Sequence, residues 1–417
     1  MPFRPLVLAS VMGVLLAAPA ALAAQSGIAV ETLAAPVESM PEATDVRLGG
    51  DARQTRFVVD LTRKVDVTAF TLADPYRVVI DLPQVVFKLP PHAGEQGRGL
   101  VKAFRYGLIM QGGSRIVLDV TGPVRVEKAF TLGAVDGQPA RLVLDLAATD
   151  RNSFLHNIEL AARPAHRAVI RNEPAAQPST DPRPLVVIDP GHGGPDSGTK
   201  GLDGQDEKDI VLAFGLKLRD LLERSGKYRV SMTRKDDTFI PLTERVRIAR
   251  QLKAALFISI HADSVPRSEG QAEGASVYTL SEHASDAEAG RLAETENRSD
   301  IIAGVDLSAE PDDVANILID LAQRETKTFS MQFAQMLVGD IKPVAPLHLR
   351  PVKAAGFIVL KAPDVPSVLI ELGYMSTRRD LKNLTSADWQ AHTATAMAHA
   401  VDDFFAKRLV GASVGAR

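Results

Sequence analysis

Hydrophobic and polar positions follow two regimes along this chain. From about residue 45 to 148, apolar residues alternate with polar ones at the two-residue period of half-buried strands. Four segments there share one pattern: Arg56-Phe-Val-Val-Asp60, Arg77-Val-Val-Ile-Asp81, Arg115-Ile-Val-Leu-Asp119 and Arg141-Leu-Val-Leu-Asp145. On a strand, residues i and i+4 share a face, so each Arg and Asp projects to one side while Phe57 and Val59, or Val78 and Ile80, point to the other. The repeat is longer than the pentamer. Arg56–Leu72 and Arg115–Leu132 both run strand, short polar break, then a second strand ending Ala-Phe-Thr-Leu. Two related halves predict a symmetric, all-β sandwich over 45–148. The Arg/Asp pairs read as solvated ladder salt bridges of about 0.2–1 kcal/mol each, ahead of a binding role for any single pair. His92, the one histidine here, lies in a Pro/Gly-rich loop with no carboxylate cluster around it.

From residue 184 onward, short continuous apolar runs alternate with helical periods. Leu185–Ile188, Arg229–Thr233, Leu256–Ile260, Ala275–Leu280 and Pro366–Ile370 read as strands. Ile210, Phe214, Leu218, Leu221 and Leu222 recur at helical spacing until Gly226, and Leu242, Val246 and Ala249 mark a second helix face. Lys327–Leu337 and Ala391–Phe405 predict amphipathic helices over the sheet, with Met331 and Met336 in the core. The alternation predicts an α/β domain over 184–410, a mostly parallel open sheet with helices on both faces. Pro164, Pro174, Pro178, Pro182 and Pro184 mark residues 149–183 as a linker stiffened by proline. A long segment of about 283–325 interrupts the α/β pattern. It reads as a charged, Ala-rich helix over 283–298, an apolar stretch Ile301–Val305 and a helix beginning between Val314 and Leu321. Such an insertion suits a lid or an interaction site.

The N-terminus adds a compartment. Arg4 precedes an apolar run from Leu6 to Ala18, and Ala21-Leu22-Ala23 supplies small residues at cleavage positions, so residues 1–24 read as a secretory signal peptide. The run is too short and too interrupted to span a bilayer, and no later stretch is apolar enough, so no transmembrane span is expected. The 417 residues allow two or three domains, and 45% hydrophobic with 24% charged residues is ordinary for globular protein. A net charge of −3 implies no polycationic attraction to nucleic acid. Absence of cysteine excludes disulfides and thiolate metal sites, so any zinc must be held by His and carboxylates.

Candidate chemistry sits at strand ends. Asp189-Pro190-Gly191 stops the first run, and Gly191, Gly193, Gly194 and Gly198 permit tight positive-φ turns around His192. His261 follows the Leu256–Ile260 run in the same way, which puts two imidazoles on one rim of a parallel sheet, where open α/β sheets bind ligands. Glu207 begins a helix. It suits the helix dipole there, or it reaches back to a metal held by His192. With both histidines it makes a His₂Glu set, a composition known for catalytic zinc. That set leaves a fourth position for water whose pKa the metal lowers to about 7. Glu371 is delivered by the strand from Pro366. A carboxylate there is costly unless paired or hydrogen-bonded. It serves as a general base that later protonates the leaving amine, or it caps a neighbouring segment. His348, His392 and His399 read as surface or packing residues.

Asp189-Pro-Gly-His192-Gly-Gly, Glu207-Lys208, Ser259-Ile-His261-Ala-Asp263 and Pro366-Ser-Val-Leu-Ile-Glu371 closely resemble the motifs of the zinc-dependent N-acetylmuramoyl-L-alanine amidases, over about 184–408. The resemblance implies hydrolysis of the amide joining the lactyl group of N-acetylmuramic acid to L-alanine of the stem peptide. By motif, His192, Glu207 and His261 match the zinc ligands and Glu371 the catalytic glutamate. Zinc then polarises the lactyl carbonyl and supplies hydroxide. Residues 45–148 resemble the AMIN domain, a β-sandwich module that directs exported proteins to peptidoglycan or the division site. The combination is similar to the exported division amidases of Gram-negative bacteria. It implies a periplasmic location, peptidoglycan as partner and a role in daughter-cell separation. With only Arg4 in the leader, the general secretory route is expected. Amidases of this type carry an autoinhibitory helix in the insertion, with a glutamate at the zinc's open position. Glu296 matches that residue, with Glu310 as the alternative, and an activator with a LytM-type domain would displace the helix. Two other classes are a non-catalytic peptidoglycan-binding adaptor and a zinc peptidase cutting within the stem peptide.

Overall fold

The computed structural model describes residues 40–73, 75–109, 113–135, 137–155, 181–264, 272–305 and 317–414, with the backbone alone for 317–324 and 409–414. The expected signal peptide, Glu310 and residues 156–180 of the expected linker lie outside the described residues. Among those described, no helix is long and apolar enough to cross a membrane.

Nine strands form the sandwich: β1 Glu42–Gly50, β2 Gln54–Leu61, β3 Thr68–Leu72, β4 Arg77–Pro83, β5 Val86–Phe87, β6 Val101–Ile109, β7 Gly113–Val120, β8 Val124–Leu132 and β9 Ala140–Ala148. One sheet runs β5-β1-β2-β9-β8, and the other contains β6-β7-β4-β3. The internal repeat explains this partition. Each half sends its first strand to one sheet and its second to the other, β2 then β3 in the first half, β7 then β8 in the second. The alternation buries Phe57, Val59, Ile80, Leu118 and Leu144 between the sheets. The four pentamers then pair antiparallel, two per sheet. Arg56 stands opposite Asp145 and Asp60 opposite Arg141 in the first sheet. Arg77 stands opposite Asp119 and Asp81 opposite Arg115 in the second.

The two outer faces differ. On the first sheet the Arg56 side chain is 60% exposed as it pairs with Asp145, as the solvated-ladder expectation requires. On the second sheet that expectation fails. Arg77 is buried, and the Arg115 side chain, paired with Asp81, is only 13% exposed. The reason is tertiary: residues 301–304, far along the chain, cover this face. The sandwich also continues past residue 148. Residues 151–155 are helical, and the buried Phe154 ring packs edge-on against Tyr76 with centroids 5.0 Å apart.

The second domain follows as β10 Leu185–Pro190, α1 Glu207–Arg224, β11 Arg229–Met232, β12 Thr238–Phe239, α2 Leu242–Gln251, β13 Leu256–His261, β14 Ala275–Leu280, α3 Ala287–Glu296, α4 Ser299–Ile302, α5 Ile317–Ile341, β15 Leu347–Ala355, β16 Ser367–Glu371, α6 Arg378–Leu384 and α7 Ala387–Val414. The sheet order is β11-β10-β13-β16-β14-β15. All its pairings are parallel except β14 against β16. The strand β10 runs two residues beyond the Ile188 end that the apolar run suggests, through Asp189 and Pro190.

Both faces of the sheet are covered. Phe214 of α1, Phe333 of α5 and Phe404 of α7 share one core with Val186, Ile258 and Ile370. Leu242 of α2 and Ala289 and Leu292 of α3 share another with Val187, Phe257 and Leu369. These strands are apolar on both sides because both sides are buried. Met331 departs from the core expectation and is 36% exposed, while Met336 packs partly buried against the core. The buried stripe of α5 runs through Ser330, Phe333, Ala334, Leu337 and Ile341, and Met331 lies about 100° away from Ser330.

One strand crosses between domains. Thr238 and Phe239 of β12 pair in parallel with Leu108 and Ile109 of β6, at the edge of the second sandwich sheet. A two-residue strand leaves no periodicity, so the sequence does not announce it.

Candidate active site

The parallel strands β10, β13 and β16 end on one rim of the sheet. Their register sets Asp189 beside Ser259 and His261 beside Glu371. His192 lies just past β10 at φ +59°, a left-handed conformation that side chains other than glycine adopt at some cost. Two glycines make room around it. A β-carbon on Gly191 would lie 2.3 Å from Cε1 of His261, and one on Gly198 would lie 2.6 Å from Oε2 of Glu207. Glu207 opens α1 and is completely buried. Its Oε1 accepts from the Ala262 amide at 2.8 Å and its Oε2 from the Thr199 amide at 3.0 Å. The helix dipole and these two donors hold the carboxylate in place, so the dipole reading and the ligand reading of Glu207 are compatible.

Glu207 Oε1 stands 3.1 Å from Nε2 of His192 and 3.4 Å from Nδ1 of His261. One ligand atom from each of the three residues lies within 4.8 Å of the others. Both ring nitrogens are buried and neither makes a well-directed hydrogen bond. Buried polar atoms of native proteins are rarely left so. The donor set is two imidazoles and a carboxylate, and the His–Glu separations approach the roughly 3.3 Å edge of a tetrahedron with bonds of about 2.0–2.1 Å. These residues therefore fit a divalent zinc-type ion.

Glu371 is completely buried beside them. Its Oε2 accepts from the Asp263 amide at 2.9 Å, and its Oε1 has no partner. The insertion adds a further carboxylate. Glu296, the last residue of α3, is buried, with Oε2 3.0 Å from Nδ1 of His261 and 3.6 Å from Nε2 of His192.

Charge is concentrated here. Burial opposes the imidazolium of His192, yet Glu207, Asp196 and Glu296 together hold its pKa well above the usual value. Burial likewise opposes that of His261, but Glu296 and Glu207 push it up to about 10. Burial also works against the Glu207 carboxylate, and His192 and His261 more than offset it, holding its pKa well below normal. Glu371 moves the other way. Burial, with Glu207, Asp263 and Glu296 nearby, raises its pKa well above the carboxylate range against the pull of His261. Burial beside Glu296 and Glu207 pushes Asp263 up to about 7.

Residues 186–403 match the family described as N-acetylmuramoyl-L-alanine amidase, and residues 45–146 match the AMIN domain. The chain belongs to the N-acetylmuramoyl-L-alanine amidase family. It is similar to the N-acetylmuramoyl-L-alanine amidase AmiC of Escherichia coli O6:H1, 33% identical over 87% of this chain and 89% of that one. AmiC of Neisseria meningitidis serogroup B is 31% identical over 87% of this chain and 90% of its own. AmiA of Escherichia coli strain K12 is 41% identical over 56% of this chain and 80% of its own. This AMIN-containing amidase is therefore an enzyme that cleaves peptidoglycan between N-acetylmuramic acid and L-alanine.

Supports of the amidase site escape the sequence reading. Asp196, four residues after His192, takes Nδ1 of that ring at 2.9 Å, which turns Nε2 toward Glu207. Asp196 Oδ2 also accepts from the Ser299 hydroxyl of α4. Arg245 is buried and donates to the His192 carbonyl at 2.7 Å and to Asp189 at 2.8 Å. Asp189 also accepts from Thr233 at 2.6 Å and Ser259 at 2.7 Å. The Asp196 support carries a local signal, an acid four residues from a turn histidine. Arg245 carries one too: three residues after Leu242 and four before Ala249, it lies on the apolar stripe of α2, where a charged side chain must find buried partners.

Proposed function

We propose that the amidase acts in the periplasm as a zinc enzyme of daughter-cell separation, held off by Glu296 until an activator arrives. What supports this reading above all is the pair of buried nitrogens on His192 and His261 that make no well-directed hydrogen bond yet face one oxygen of Glu207, with Glu371 on the adjacent strand.

His192 through Nε2, His261 through Nδ1 and Glu207 through Oε1 would hold the ion. Bound zinc supplies Lewis-acid polarisation of the scissile carbonyl and acidifies water. Glu371 moves the proton. Its Oε2 is tied to the Asp263 amide, so the partnerless Oε1 is the atom that takes a proton and returns it to the alanine nitrogen as the amide breaks. Burial, with Glu207, Asp263 and Glu296 nearby, raises the affinity of Glu371 for a proton, which favours the acceptance step. Asp196 fixes the orientation of His192, as partners behind metal-bound histidines do.

Glu296, with Oε2 3.0 Å from Nδ1 of His261, would stand in the way of an incoming substrate oxygen. A LytM-type activator would draw α3 and α4 away and open the site. Residues 1–24 would export the chain by the general secretory route, and the sandwich would direct it to peptidoglycan through its exposed first sheet.

Mass spectrometry of digested sacculi tests the reading. The amidase releases intact stem peptides from the glycan. Cuts within the stem peptide would establish a peptidase instead, and no release even with Glu296→Ala would leave an adaptor.

A further inference from the structure

The second sheet of the sandwich and the C-terminal end of α4 meet in a contact that neither the catalytic residues nor the localising role requires. Arg77 donates through Nη1 to the carbonyl of Ile301. Arg105 donates to the carbonyl of Ile302 at 2.5 Å, and Arg115 to that of Gly304 at 2.8 Å. These are carbonyls at and just beyond the end of a helix, where the backbone presents partial negative charge and unused acceptors. Three guanidinium groups on one sheet face satisfy them.

Apolar surface fits as well. Val79 and Val117 sit between the Arg/Asp rows on the outer face, yet both are fully buried. Gly304, at φ +69°, presses onto them so closely that a β-carbon would come within 2.9 Å of Val117 Cγ2 and 3.0 Å of Val79 Cγ2. On the pseudosymmetric face of the first sheet the matching arginine, Arg56, stays largely exposed. The two faces carry the same sequence pattern but have different occupants.

The occupied face reaches the active site through few residues. From Gly304 back to Glu296 the chain makes α4 and the end of α3. Within that span Asn297 bonds the carbonyl of Gly356 and the amide of Ile358, Ser299 bonds Asp196, and Asp300 accepts from the Leu242 amide. The sandwich also touches the histidine loop. The pairing of β6 with β12 brings Gly107 against Gly194, where a β-carbon on Gly107 would lie 2.3 Å from the Gly194 carbonyl carbon.

We infer that the outer face of the second sandwich sheet is an intramolecular clamp: Arg77, Arg105 and Arg115, with Val79 and Val117, hold the end of the inhibitory segment and so keep Glu296 in the site. The inference rests on Glu296 acting as a plug, and assigns to the AMIN domain an inhibitory duty besides localisation. Opening the enzyme then requires release of this face as well as withdrawal of Glu296.

The test uses the full-length amidase, comparing Gly304→Val, Arg77→Ala/Arg115→Ala and Glu296→Ala with the parent. Gly304→Val wedges the segment off the face without altering the sandwich, so it covers the case in which the arginine double variant misfolds. The clamp requires that Gly304→Val raise basal stem-peptide release about tenfold, the order expected when charge-assisted contacts favouring the closed state are lost. Amide exchange at Ile302, Ala303 and Val305, whose N–H groups bond Arg298, Ser299 and Asp300 in the closed segment, must quicken with it. Parental turnover in Gly304→Val beside an activated Glu296→Ala would overturn the clamp and leave the plug standing. Faster exchange without faster turnover would also overturn it. An unactivated Glu296→Ala would remove the plug and the clamp together.

Discussion

Oε2 of Glu296 lies 3.0 Å from Nδ1 of His261, in the same pocket in which Glu207 faces both histidines. The carboxylate is buried and belongs to an inserted segment, not to the sheet that builds the site. Glu296→Ala should therefore raise basal hydrolysis of peptidoglycan by about tenfold or more, a shift that one lost charge-assisted contact can produce. Dye-labelled sacculi measure this without activator. Basal turnover equal to the parent would remove Glu296 from control of the site.

Glu371 calls for the opposite experiment. It sits beside His261 in the sheet register but makes no hydrogen bond to either histidine, and one of its oxygens is partnerless. Glu371→Gln keeps the shape and the acceptor for the Asp263 amide while removing the acid–base function. Turnover should fall by about 10²–10⁴-fold with zinc content unchanged. Loss of zinc in equal measure would reassign Glu371 as a ligand.

Much of this site is legible in the sequence because it is built from strand ends. His192, His261 and Glu371 each follow an apolar run, and a parallel sheet brings such ends to one rim. Glu207 is readable as the first residue of an amphipathic helix. The sandwich is legible through its internal repeat, since the Arg and Asp of each pentamer share a face. What stays hidden depends on distant chain. The burial of Arg77 comes from residues 301–304, more than two hundred positions away, and the two residues of β12 carry no period. Met331 fails for a simpler reason: an apolar side chain inside a helical run is indistinguishable by type from its buried neighbours until the stripe is located. Arg245 looks like a surface residue by type and turns out to hold the His192 carbonyl.

Metal uptake should depend on pH. In the metal-free protein burial opposes both imidazolium ions, but the nearby carboxylates push His261 up to about 10 and hold His192 well above its usual value, so His261 carries a proton at pH 7 and His192 keeps its proton more firmly than a free imidazole. A metal needs both rings neutral, so zinc binding should release at least the His261 proton and tighten as pH rises from about 6 to 9. The metal-free fold runs the other way. Raised histidine pKa values stabilise it fully below the unfolded value of about 6.5, and that stabilisation is lost as pH climbs through about 10 for His261. Calorimetric titration in buffers of different ionisation enthalpy counts the protons. A pH-independent zinc affinity would contradict the assignment.

Asp196 bonds Nδ1 of His192 and is itself held below the usual carboxylate pKa, with burial opposing and His192 prevailing. Asp196→Asn keeps the size but removes the charge that supports the ring. Zinc affinity should fall by about 10–100-fold, as for other partners behind metal ligands. Because Ser299 also bonds Asp196, the same change should loosen α4 and raise the fraction of open enzyme. Competition with a chelator reads the first effect. Unchanged affinity would show that the carboxylate only braces the loop.

Gly191 gives the sharpest steric prediction. It is not needed for a positive φ; it is needed because the His261 ring lies against its α-carbon. An added β-carbon would lie 2.3 Å from Cε1 and 2.4 Å from Nε2, distances no real contact sustains. Strand β13 holds the His261 backbone, and the Arg234 and Arg245 guanidinium groups bond the carbonyls of Gly191 and His192 on either side, so neither partner can withdraw freely. Gly191→Ala should therefore displace the imidazole, abolish zinc retention and lower stability by about 1–3 kcal/mol, the usual cost of overpacking. Gly339→Ala is the contrasting variant. It lies within α5 with nothing within 4 Å of the added carbon, so it should hold zinc normally and gain up to about 1 kcal/mol from helix propensity. Thermal melts with metal analysis of both variants decide the matter, and a Gly191→Ala protein that keeps zinc would show that the rim is softer than its packing implies.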